Sequence, residues 1–180
     1  MVDFTSLLRK YTFGNEELLT LLTAHSSAVA DKALGILERH PELNLDPRLV
    51  LEAAMLHDIG VVKCDAPSIH CLGSEPYIRH GVLGAEILRN EGLPEHARVA
   101  ERHTGSGITA QYIRDHGLPL PEQDFLPETK LEKLICYADK FFSKSRRPDD
   151  AKPLEKIRSQ MAKFGPETLA RFDEMHDMFK

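Results

Sequence analysis

NEELLTLLTAHSSAVADKALGILER, residues 15–39, is the stretch whose reading decides the fold class. Asn15 stands as an N-cap with Glu16 and Glu17 in the first turn, where acids complement the positive end of the helix dipole. Leu18, Leu21, Leu22, Val29, Ala33 and Ile36 then follow the spacing of one helix face to about Arg39, and Pro41 comes just after the end. His25 falls on that stripe. It lies four and three residues after Leu21 and Leu22 and four before Val29, so it faces the core with them.

Helical punctuation continues outward from this segment. Asp46-Pro47 is a cap followed by an N1 proline, opening a helix whose apolar face runs through Val50, Ala53 and Ala54 towards His57, with Gly60 placed to stop it. Val61 to Glu75 reads as an ordered loop. Pro76 opens a helix ending near Gly92, Pro94 another ending near Gly105, and Thr109 to His116 a short one closed by Gly117. Pro119, Pro121 and Pro127 mark an extended connection before a strong helix over about Thr129 to Phe142. Ser143 to Asp150 is a polar connector whose Lys144, Arg146 and Arg147 read as a solvated surface. Gly165-Pro166 divides the last stretch into helices Pro153 to Phe164 and Pro166 to Phe179, with Phe141, Phe142, Phe164, Phe172 and Phe179 as their packing. The expected fold is all-α: a single-domain helical bundle over residues 1–180, with a core at about 15–142 and a C-terminal helical extension at about 151–180.

Composition narrows the class of function. In 180 residues there are 23 Lys and Arg against 28 Asp and Glu, a formal charge of −5, with no basic excess to grip a nucleic-acid polymer. With 42% apolar and 28% charged residues the chain resembles an ordinary globular protein. No apolar run approaches the roughly 18 residues of a membrane span. The N-terminus, with Asp3 in it, does not read as a secretory signal, so a cytoplasmic location is expected. Three cysteines, Cys64, Cys71 and Cys136, form no C-x-x-C, which points away from a disulfide framework and from a thiolate zinc site. Cys136 reads as a small core residue.

Nine histidines stand out. His57 continues the face of Val50, Ala53 and Ala54. Asp139 lies four residues after Ile135 and eight after Leu131, which puts a carboxylate on a buried stripe. His80 shares a face with Tyr77, Gly84 and Ile87, and His103 shares one with Val99 and Ala100. Burying unpaired charge costs several kcal/mol, and bound metal ions would satisfy all of these groups together. A set of His and Asp without thiolate suits Fe, Mn, Co, Ni or a catalytic Zn. The ligands are too far apart for a finger or an H-E-x-x-H helix, so they must converge from different helices of a bundle. His40, His96, His116 and His176 fall near helix ends or on polar faces and read as solvated.

Leu56-His57-Asp58-Ile59-Gly60, with His25 before it and Tyr137-Ala138-Asp139-Lys140 after it, resembles the HD-domain phosphohydrolase superfamily in its HDIG form. Arg79-His80-Gly81 and Arg102-His103-Thr104-Gly105 look like the extra histidine motifs of its binuclear members. In length, and in Gly107-Ile108-Thr109 and Pro127-Glu128-Thr129, the chain looks most like small stand-alone HDIG proteins of bacteria and archaea. It departs from the cyclic-dinucleotide phosphodiesterases: no Gly-Tyr-Pro follows the site, and Lys63 stands three residues beyond Gly60.

The resemblance implies that His25, His57, Asp58 and Asp139 hold one divalent ion, and that Asp58 bridges to a second completed by His80 and His103. It implies a hydrolase that attacks a small phosphate ester or nucleotide with a metal-bound hydroxide. Asp58, Lys63 and Asp139 are then the catalytic candidates, and His70, Arg79, Arg102 and Lys140 the candidates for substrate contact, with Cys71 beside His70. A di-iron oxygenase on the same ligands, and a nucleotide-binding regulatory module without turnover, are the alternatives. Specificity is expected in the loops Val61–Glu75 and Ser106–Pro127. No nucleic-acid polymer or membrane is expected as partner, and the oligomeric state is left open.

Overall fold

A computed structural model describes residues 2–144 and 150–180. Its elements follow the capping signals closely. Asn15 accepts from the Leu18 amide at 3.0 Å and opens α2 (Glu16–Arg39). Asp46 accepts from the Arg48 amide and opens α3 (Pro47–Leu56). Further on come α4 (His80–Asn90), α5 (Pro94–Arg102) and α6 (Ala110–His116), the last capped by Thr109 and closed by Gly117 at φ 57°. α7 (Lys130–Asp139) starts in a reciprocal capping box between Thr129 and Glu132. α8 (Leu154–Ala162) and α9 (Pro166–Phe179) meet at Gly165. The fold is all-α. Its only sheet among the described residues is a two-residue antiparallel pair, Asp65–Ala66 (β1) with Cys71–Leu72 (β2), inside the ordered loop. No described helix is long and apolar enough to cross a membrane.

Several boundaries differ from expectation. α1 (Phe4–Thr12), capped by Asp3 on the Ser6 amide, precedes the first helix read from the sequence. A nine-residue helix is marginal alone, and this one is held by burying Leu8 against the main core, which local pattern does not reveal. α3 ends at Leu56 rather than running to Gly60, and the chain continues as a 3-10 turn, Ile59–Lys63. α7 ends at Asp139, short of Phe142.

The main core lies between α2, α3, α5 and α7, with Val29, Ile36, Val50, Leu134 and Ile135 at or near zero exposure. α9 adds to it: the rings of Phe172 and Phe179 lie 5.6 and 5.5 Å from that of Tyr137 on α7. A smaller cluster joins Leu18, Leu22, Val61 and Cys71 under the ordered loop. Phe164 departs from its expected packing role and is 52% exposed. His96, read as solvated, is buried with Nε2 3.4 Å from Glu52 of α3. His176, also read as solvated, is half-buried with Nδ1 2.9 Å from the Tyr137 hydroxyl. Cys136 is buried as read.

Candidate metal centre

Five helices send polar side chains to one point. His25 comes from the buried face of α2; His57 caps the end of α3, and Asp58 follows it into the 3-10 turn. His80 begins α4, His103 caps α5, and Asp139 is the last residue of α7. All six are buried, Asp58 and His57 completely. His25, His57, Asp58 and Asp139 form one group of potential metal ligands, and Asp58, His80 and His103 form another, so Asp58 is common to both.

Close packing of glycine backbone makes this convergence possible. A Cβ on Gly60 would fall 2.0 Å from the His80 carbonyl oxygen and 2.3 Å from the Gly84 nitrogen, so the turn carrying Asp58 can touch α4 only with glycine there. A Cβ on Gly81 would stand 2.8 Å from the Ala100 oxygen, which brings α4 against α5 and hence His80 against His103.

The imidazoles are locked from behind. Nδ1 of His57, His80 and His103 lies 2.6, 2.7 and 2.7 Å from the carbonyl oxygens of Ala54, Tyr77 and Ala100, each three residues earlier. A carbonyl only accepts, so Nδ1 carries a proton and each ring, whenever it is neutral, presents a bare Nε2 inward. These inward atoms face one another and the carboxylates. His80 Nε2 is 3.1 Å from His103 Nε2, and these two are 3.6 and 3.3 Å from Asp58 Oδ1. His57 and His25 Nε2 are 3.0 and 3.2 Å from Asp58 Oδ2, and 3.5 and 3.1 Å from Asp139 Oδ1. His57 Nε2 and Asp58 Oδ1 are buried without a well-formed hydrogen bond among the described residues, and Asp58 Oδ2 has the Lys144 ammonium 2.6 Å away. Lone pairs converging on lone pairs repel unless a cation lies between them, so the donor set fits divalent ions on Nε2 and carboxylate oxygen.

Electrostatics agree with that arrangement. Burial, with His103 adding to it, pushes His80 down to about 3, and burial lowers His103 as well, so both stay neutral. Burial alone would raise both aspartates, but His57 and Lys144 beside Asp58, and Lys140 with His25 beside Asp139, hold them well below the usual range. Burial disfavours charge on His57 too, yet the Asp58 carboxylate outweighs it and lifts the ring to about 9. A cation binding there would displace that proton.

The other named residues take varied places. Lys140 Nζ is 2.7 Å from Asp139 Oδ2 and 2.9 Å from the His103 carbonyl, which leaves Asp139 Oδ1 aimed at the histidines. Arg79 pairs with Glu75. Arg102 donates to the Leu126 carbonyl at 3.0 Å and lies among Glu101, Glu128 and Glu132. His70 is exposed with Nδ1 3.9 Å from Glu17, whereas Cys71 beside it is buried in the smaller core cluster. Lys63 is exposed and forms no ion pair with the site carboxylates among the described residues.

The ammonium that does reach the centre is one the sequence reading assigned to solvent. Lys144 Nζ lies 2.6 Å from Asp58 Oδ2, and its side chain is 13% exposed. It stands five residues past Asp139, beyond the helix, where periodicity no longer says which way a side chain points. Arg146 and Arg147 lie outside the described residues.

Beside the centre is a cavity of about 480 Å³ that reaches Asp139 and Lys140. Its lining draws mainly on residues between Thr104 and Leu118 and on the α8–α9 region, with Ile78, Phe142 and Lys152, and none of it comes from Val61–Glu75, so only one of the two loops expected to shape specificity takes part.

Residues 22–143 match the HD domain. The chain is 32% identical to an uncharacterised protein of Methanocaldococcus jannaschii over 163 residues, 87% of this chain and 88% of that one. It is 35% identical over 127 residues to a tRNA (cytidine(56)-2'-O)-methyltransferase of Picrophilus torridus, covering 70% of this chain and 33% of the methyltransferase. It is 37% identical over 83 residues to ribonuclease Y of Chlorobium luteolum, 46% of this chain and 15% of that one. The chain thus spans about a third of the methyltransferase's length. No solved structure matches it.

Proposed function

The chain belongs to the HD-domain family, and on that premise we propose that it is a metal-dependent phosphohydrolase acting on a small phosphate ester or nucleotide. The observation that carries this reading is the sharing of buried Asp58 by two ligand groups whose Nε2 atoms all face inward. Divalent cations bound there would supply Lewis acidity toward phosphoryl oxygens and lower the pKa of water. The chain's own residues do the rest. Three carbonyls fix the tautomers of His57, His80 and His103, and Lys140 turns Asp139 so that one oxygen faces His25 and His57. Two divalent ions held by these residues would exceed the charge of the two aspartates and so favour a phosphate anion. The name ribonuclease Y, borne by one relative, accords with chemistry at phosphorus. The methyl transfer named for another is not carried over, because the matched part is a third of that protein.

Metal analysis and phosphate release from a panel of phosphorylated metabolites and nucleotides test this reading. Release should need added Mn, Fe, Co, Ni or Zn and stop with chelator. His80→Ala and His103→Ala should each lower bound metal from about two ions per chain to about one, with a rate loss on the order of a hundredfold or more. No release across the panel under metal-replete conditions, or release indifferent to chelator, would overturn it.

A further inference from the structure

All six candidate ligands lie within the matched residues 22–143, but part of the adjoining cavity's lining does not. That part comprises Gln160 and Met161 of α8, Phe164 just after it and the start of α9, and the same cavity is lined by Ile108 and Tyr112. Three observations there want a ligand. Phe164 is large, apolar and 52% exposed at the cavity, and it stacks on no other ring among the described residues. The half-buried side-chain amide of Gln160 lines the same wall with no hydrogen-bond partner among the described residues. Lys152, also half-buried, lines the cavity together with Asp139, and its ammonium has no carboxylate partner among the described residues.

These features differ in chemistry. The one lining combines a metal-ligand carboxylate, Asp139, and a cation without a carboxylate partner, Lys152, with an aromatic face, Phe164, and an amide one helical turn before it, Gln160. Its volume lies in the range that receives one small organic ligand. Resting on the phosphohydrolase reading for the location of the phosphate, we infer that this cavity receives the heteroaromatic ring of a nucleoside monophosphate. The ring stacks on Phe164, Gln160 bonds to its polar edge, and the phosphate lies past Lys152 at the metal centre. An alkyl chain would satisfy Phe164 but leave the Gln160 amide buried and unpaired, which is costly. A bare sugar phosphate would leave the aromatic wall wet.

Adenosine 5′-monophosphate and ribose 5-phosphate differ only in the base and serve as probes with the full metal-loaded chain. The nucleotide should be favoured in kcat/KM by about tenfold or more, the scale of base stacking on an aromatic side chain. Phe164→Ala and Gln160→Ala should each collapse that ratio towards one. Adenosine, which has no phosphate to lose, should bind the wild-type chain by calorimetry and bind Phe164→Ala more weakly. Equal kcat/KM for the two probes, no adenosine binding, or an alkyl phosphate outcompeting the nucleotide would overturn the inference. If neither probe releases phosphate while adenosine still binds through Phe164, the cavity assignment stands and the phosphohydrolase reading falls.

Discussion

Lys144 and a divalent cation want the same atom. The lysine ammonium lies 2.6 Å from Asp58 Oδ2 and 5.9 Å from the Tyr77 ring centre, and Asp58 Oδ2 is also the oxygen nearest His57 and His25. Burial opposes charge on Lys144, but Asp58 overcomes that and holds the ammonium far above its ordinary value, so the group stays cationic. Lys144→Gln removes a competitor and leaves the buried carboxylates with less compensating charge. In chelator the variant should be less stable by about 3–5 kcal/mol, the usual cost of breaking a buried pair from one side. With saturating metal the loss should be much smaller, because the cation then compensates Asp58. Metal affinity should rise about tenfold, which needs only about 1.4 kcal/mol of relieved competition. Melts with and without chelator, together with metal titration, check this; equal destabilisation in both conditions would count against the competition.

Caps and glycines decide what the helices can do, and two of them give direct tests. Gly60→Ala would press a methyl group against the His80 carbonyl and the Gly84 amide, both backbone, so α4 must withdraw and take His80 with it. The expected result is a loss of about 1–3 kcal/mol, as in other overpacked sites, and of metal from the group containing His80 and His103. Gly117→Ala is a useful contrast: its Cβ would have open space but φ is 57°, so it should cost about 1 kcal/mol and leave metal content unchanged. Glu132 at the start of α7 accepts from the Glu128 amide and from Arg98, each at 2.7 Å. Burial raises its pKa, but these donors win and lower it. A folded pKa below the unfolded one means the stabilisation is present above the unfolded value and lost as pH falls through the folded one. Glu132→Gln should therefore cost about 1.5–3 kcal/mol near neutral pH, with the gap from wild type narrowing as pH falls below the ordinary glutamate value of 4.5 in urea melts at stepped pH. Caps such as Asn15, Asp46 and Thr129 were legible because their chemistry is local to four residues. α1 and the Glu52–His96 contact were not, since each depends on partners far along the chain: the core under Leu8 for one, a buried glutamate of another helix for the other.

At the scale of the molecule, the candidate ligands were legible for a reason that differs from the caps. A histidine or aspartate on an apolar helix face is a local anomaly, and five such anomalies converge once α2, α3, α4, α5 and α7 pack together, with Asp58 carried in by the turn after His57. What stayed hidden was the surroundings, because Lys144, Phe164 and Gln160 lie at or beyond helix ends where side-chain direction is set by tertiary packing. On the proposed ligation, metal would act as a cross-link between helices. Ions held by His25, His57, Asp58, His80, His103 and Asp139 would join segments spread over most of the chain, so an ion bound only by the folded state adds RT ln(1 + [L]/Kd) to stability. At about a hundredfold excess over Kd that is about 2.7 kcal/mol per site, and at roughly 2–4 °C per kcal/mol for a chain of this size the Tm should rise by about 5–10 °C for each site filled. The rise should follow the logarithm of metal concentration, reverse on chelation, and be lost in Asp58→Ala, which removes the ligand common to both groups. Hydrogen exchange should slow together in α2, α4 and α7 when metal is added, because the ions tie these helices to one another. A Tm indifferent to metal in the wild-type chain, or a metal-dependent rise that survives Asp58→Ala at full size, would show that these six side chains are not holding the ions.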